Sequence, residues 1–317
     1  MEYVQRFTLL FQSKFTKCFL PNIDLLFSGF SIQYIHNDRE GSSMYSIFED
    51  TMADMAWTEI ESSIQKGAIV LLPSGVIEQQ GPHLATGTDI YVSHLICKKI
   101  KHELEKSEIE SIIAPPFYWG INHVTGGFPG SFTTRKETMK HVLFDIFACL
   151  HRWNVKHVFL IDIHGDHQNG IALYEAIAEG REQLGLDVRS VISHWVANEL
   201  QIDQDNKNFL IFHVDLPASP QPQYVDVHAG AGGTAMMMKY FPSLVDVQLA
   251  KELEATNLTY EELKKWQHGG DIARQITPLG YVGAPSEFEQ VNVDDMDFVS
   301  VFSRQAAFSM KEYLGRL

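Results

Sequence analysis

From Met44 onward, short apolar runs alternate with longer stretches in which apolar residues recur every three or four positions. The short runs, 68–73, 112–116, 157–163 and 188–193, have the length and the polar boundaries of buried strands. The longer stretches, 54–66, 90–106, 135–153, 168–184 and 246–265, carry the helical period. Over 90–106, Ile90, Leu95, Ile96, Ile100 and Leu104 fall on one face, with Lys98, Lys101 and Glu105 largely opposite. Such alternation predicts stacked β-α units, hence an α/β fold around a mainly parallel sheet. There is no internal repeat and no low-complexity tract.

Every predicted strand runs into a polar segment. Strand 68–73 leads to Glu78–Asp89, strand 112–116 to Phe117–His123, strand 157–163 to His164-Gly-Asp-His167, and strand 188–193 to His194-Trp195. Open parallel sheets bind ligands at the carboxyl ends of their strands, so these segments are expected to converge on one cleft.

The densest chemistry lies in Gly75–Asp89, where Glu78, His83 and Asp89 share one loop punctuated by Gly81-Pro82. Carboxylates and an imidazole on a strand-to-helix loop suit a divalent cation, and the Gly-Pro turn can fold the loop back over one point. The bland alternative is that Asp89 caps the helix it opens. His164, with Asp166 and His167 close behind, adds an imidazole at the end of a strand. Two carboxylates and one imidazole leave a position open for water, as a catalytic site requires. His228, in Val227-His-Ala-Gly-Ala-Gly-Gly-Thr234, is either a turn histidine or a proton donor to a leaving nitrogen. Trp119, His123 and Trp195 are the candidate substrate contacts, though Trp195 is equally suited to core packing.

Composition narrows the class. With 317 residues the chain can form one large α/β domain or two small ones. Lys plus Arg number 25 against 40 Asp plus Glu, a net charge of −15 that disfavours nucleic acid and anionic membrane as partners. Nothing approaches a membrane span. Three scattered cysteines, Cys18, Cys97 and Cys149, argue for a reducing, cytoplasmic setting. Residues 1–43 are expected to be an amphipathic extension, or sequence upstream of a true start at Met44, with 44–317 as one catalytic domain. No Gly-x-Ser-x-Gly elbow, phosphate-cradling loop or dinucleotide fingerprint is present.

Taken together, Leu72-Pro-Ser-Gly-Val-Ile-Glu-Gln-Gln-Gly-Pro-His-Leu84, Thr88-Asp89, Tyr118-Trp-Gly120, Phe128-Pro-Gly130, Ile163-His-Gly165, His228-Ala-Gly230 and Gly283-Ala-Pro285 resemble the creatininase family, over roughly Trp57 to Leu317. The resemblance implies a three-layer α/β/α fold, assembly into a homo-oligomer, commonly a hexamer, and hydrolysis of a non-peptide C–N bond. The substrate would be a small amide, cyclic amide or formamide, attacked by a metal-activated water. It implies zinc, manganese or iron held by Glu78, Asp89 and His164, with His228 transferring a proton. Gln80 stands where the family has a second-metal histidine, and Gly233 where it has an acid. These departures imply one ion, or a second site rebuilt by Asp166 and His167, with Asp166 orienting or deprotonating the water. Two rival readings remain: a degenerate member that binds metal or ligand without chemistry, and a same-fold enzyme of non-hydrolytic metal chemistry.

Overall fold

Five parallel strands, β1 (Ile69–Ser74), β2 (Ser111–Ile113), β3 (His157–Asp162), β4 (Asp187–Ser193) and β5 (Phe209–Phe212), form one sheet in the order β2-β1-β3-β4-β5. The computed structural model describes residues 45–214, 225–293 and 297–316. The expected extension over 1–43 lies outside the described residues. From Tyr45 the chain forms one unit.

The strands alternate strictly between two cores, because successive side chains of a strand point to opposite faces. Ile69, Leu71, Phe159, Ile161, Val191 and Phe212 face a layer built from α2 (Thr88–Glu105), α6 (Ala231–Tyr240) and α10 (Phe298–Leu314). Val70, Leu72, Val158, Leu160 and Val188 face α1 (Trp57–Gln65), α3 (Lys136–Arg152) and α4 (His167–Leu184). The three-layer α/β/α architecture is therefore present, with strands buried on both sides as a parallel sheet demands. The shorter helices are α5 (His194–Glu199), α7 (Val247–Glu252), α8 (Tyr260–Trp266) and α9 (Gly270–Ile276). No helix among the described residues is long and apolar enough to cross a membrane.

Two expectations are corrected. The helix over 246–265 is two helices, α7 and α8, because each has its own start signal. Asp246 accepts the Leu249 N–H, while Thr259 and Glu262 form a reciprocal capping box. Between them Thr256 N–H is drawn to Gly283 O at 2.9 Å, outside any helical pattern. β5 and α10 stand where no element was expected. β5 is a four-residue apolar run, too short for its period to be read.

The strand order decides where a site can lie. From β1 the chain moves outward to β2, then crosses back to β3 on the other side of β1. That reversal opens a crevice beyond the carboxyl ends of β1 and β3. Ser74 and Asp162, paired across the two strands, mark its floor.

Candidate metal centre

Glu78 and Asp89 reach this crevice because the loop after β1 closes on itself. Gly81 adopts φ +66°, and Glu78 N–H donates to Thr86 O at 3.0 Å, which brings the loop's two ends together. Asp89 lies in the first turn of α2, and its side chain does not cap the helix. His164 stands two residues beyond the end of β3. Its Nδ1 lies 3.2 Å from Glu78 Oε1 and 3.1 Å from Asp89 Oδ2, and all three side chains are buried.

The surroundings fix each group. His164 Nε2 meets Ile121 O at 3.1 Å. A carbonyl can only accept, so Nε2 carries a proton and Nδ1 is the nitrogen that faces the carboxylates. Although burial opposes the charge, Asp89 and Glu78 hold the imidazole well above its ordinary range. Without an ion Nδ1 is therefore protonated too, and a bound cation would displace that proton. Ile121 comes this close because Gly120 precedes it; a Cβ at Gly120 would collide with the Asn169 amide and Val76. Thr125 Oγ1 donates to Glu78 Oε2 at 2.6 Å. Gln80 Nε2 donates to Asp89 Oδ1 at 2.9 Å and to Glu78 Oε1 at 3.3 Å. Asp89 Oδ2 is buried with no hydrogen-bond partner.

Burial works against the charge on every one of these groups. It pushes Asp89 up, as does the neighbouring Glu78 charge, while His164 pulls the other way. Glu78 would also rise on burial, but His228 and the hydrogen-bonded His164 hold it down at about 2. Behind them, burial and, more weakly, the charge of Asp89 push Asp162 up to about 6 despite the pull of His164. One of its oxygens has no partner. Two carboxylates, an imidazole nitrogen that can give up its proton and an orphaned carboxylate oxygen in one buried crevice are what a divalent cation would satisfy. The donor atoms of Glu78, Asp89 and His164 lie within 4.8 Å of one another. The residues fit a metal.

The other sequence-derived candidates are placed differently. Asp166 does not join the group. Its Oδ1 accepts the Gln168 and Asn169 N–H groups as the cap of α4, and its Oδ2 accepts those of His123 and Val124 at 2.8 and 3.1 Å. Four N–H donors use up its acceptor sites, so its expected roles as ligand and water-orienting base are corrected to capping and loop anchoring. His167 is exposed at the start of α4, and the His123 side chain is exposed as well. Trp119 is half-exposed and meets Phe132 edge-on at 5.8 Å. Trp195 is similarly exposed and packs against His194.

His228 lies beside the loop. Its Nε2 is 2.9 Å from Gln79 O and 3.1 Å from Gln79 Nε2. The carbonyl contact is shorter and can only accept, so Nε2 carries a proton. Gln79, in turn, donates to Gly280 O at 2.6 Å and accepts from Gly81 N–H at 2.9 Å. Sequence reasoning missed Gln79, Thr125 and the Ile121 carbonyl. Gln79 at least stands inside the motif, whereas Thr125 has only the glycines after it as a signal, and a main-chain acceptor has none.

Comparison with known proteins gives the family. The family model for creatininase, described as creatinine amidohydrolase, matches residues 53–292. The chain is 24% identical over 210 residues to creatinine amidohydrolase of Pseudomonas putida, covering 62% of this chain and 74% of that one. It is equally 24% identical over 222 residues to the mycofactocin precursor peptide peptidase of Mycolicibacterium smegmatis, covering 69% and 75%. In fold it matches a mutant creatininase of Zn–Zn type with a TM-score of 0.59 at 17% identity, over 85% of this chain and 98% of that one. With three-quarters of its length under one family model, the chain belongs to the creatininase family of hydrolases.

Proposed function

We propose that this chain hydrolyses a C–N bond of a small amide, cyclic amide or formamide at the crevice between β1 and β3. The observation that carries the reading is the convergence of Glu78 Oε1, His164 Nδ1 and Asp89 Oδ2, the last a buried oxygen with no hydrogen-bond partner. These three atoms would hold a divalent ion, zinc, manganese or iron. Such an ion supplies a Lewis acid for the substrate carbonyl and a more acidic water.

The chain's own residues do the rest. Ile121 O holds the His164 ring in the tautomer that offers Nδ1. Thr125 fixes the rotation of the Glu78 carboxylate. His228, with Nε2 spent on Gln79 O, keeps Nδ1 for moving a proton to the departing nitrogen. Trp119 and Phe132, both partly exposed, give the substrate an apolar edge to lie against.

A second reading, in which the scissile bond is a peptide bond, is favoured by the relatives named as precursor peptide peptidases. A panel of creatinine, formamides and short peptides separates the two by which member turns over. Asp89→Asn is expected to lose both metal and turnover. His228→Ala is expected to keep its metal and lose about 10²- to 10⁴-fold in rate. Full turnover in metal-free Asp89→Asn protein would sink the proposal. Bound metal with no turnover of any member would favour a binding protein, and oxygen-dependent turnover of an iron form would favour non-hydrolytic chemistry.

A further inference from the structure

We infer that Gln80 limits this site to one ion per chain, by occupying with an amide N–H the carboxylate oxygen that a second ion would need. The inference rests on the metal-holding half of the function proposed above, and not on hydrolysis.

A second ion would need the second oxygen of Asp89 or of Glu78, and the two oxygens of Asp89 have opposite fates. Oδ2 faces His164 Nδ1 at 3.1 Å and accepts no hydrogen bond. Oδ1 accepts Gln80 Nε2–H at 2.9 Å. The same amide nitrogen reaches Glu78 Oε1 at 3.3 Å, so its two hydrogens serve both carboxylates. An amide nitrogen has no lone pair to give a cation. Turned over, the amide would set its oxygen against two carboxylates, which their charge opposes. The remaining Glu78 oxygen, Oε2, is held by Thr125 at 2.6 Å.

Asp166 does not make good the loss, since it spends both oxygens on four backbone N–H groups.

Manganese counting tests this directly. Metal-free protein is titrated with Mn²⁺, with bound metal measured after desalting and spin coupling followed by electron paramagnetic resonance. Wild type is expected to saturate at one equivalent with an uncoupled signal. Gln80→Glu, close in shape but offering an acceptor in place of a donor, is expected to take up a second equivalent and show an exchange-coupled pair. Gln80→His serves the same readout if the extra charge of Gln80→Glu prevents folding. Wild type binding two ions would overturn the inference, as would folded variants that still bind one. Wild type binding none would instead sink the metal reading itself.

Discussion

His83 shares its loop with Glu78 and Asp89, yet its ring meets Thr234 and leaves the carboxylates alone. Thr234 Oγ1 donates to Gly230 O at 2.6 Å, so it accepts from His83 Nε2–H at 2.8 Å, and His83 Nδ1 is buried without a partner. Burial holds this imidazole down at about 4, below its ordinary 6.5. Below pH 6.5 the unfolded chain takes up a proton that the folded chain refuses until about pH 4. Stability attributable to His83 therefore falls with pH across that window, by at most roughly 3 kcal/mol. His83→Gln keeps the donor to Thr234 and cannot titrate. Urea midpoints at pH 7, 6 and 5 (chosen to span the window) should show the wild type losing ground to the variant as pH drops; parallel curves would refute the assignment. Residue identity alone could not separate His83 from His164. Both are histidines in glycine-containing loops after a strand, and only the partner of each ring nitrogen tells them apart.

At the scale of elements, local signals were legible where they were strong and misled where one residue type serves two ends. The predicted strands and the helices over 90–106, 135–153 and 168–184 stand within a few residues of their expected bounds, because apolar period and burial coincide there. Asp166 looked like chemistry because it stands beside His164, but a carboxylate just before a helix is equally what the first-turn N–H groups require. The structure also uses its second oxygen to pin the 123–124 backbone, which no local pattern reveals. Asp166→Ala should then cost about 1–3 kcal/mol in a urea titration while the metal content stays at the wild-type level. Loss of metal with stability retained would restore Asp166 to the ligand set. The split between α7 and α8 carries the same lesson, since the Asp246 and Thr259 caps were visible as residues but not as competitors of the helical period.

For the whole molecule, the alternation of short and long runs was enough to predict a parallel sheet with helices, but not its strand order. Order depends on which strands pair, and nothing in a linear pattern says that β3 returns past β1. The site was nonetheless legible in outline, because in such sheets chemistry gathers after strands whatever their sequence in space. That crossing has a kinetic consequence. The loops bearing Glu78 and Asp89 on one side and His164 on the other are far apart along the chain and become neighbours only once β1 and β3 have paired. Coordination would thus come late in folding, and we predict that it is absent from the barrier crossing. An ion of this kind acts as a latch, not a nucleus: it slows escape from the native state without hastening arrival. Stopped-flow traces with and without chelator should overlay on the refolding limb and part on the unfolding limb, whereas a chelator that slowed refolding would place the ion at the start of assembly.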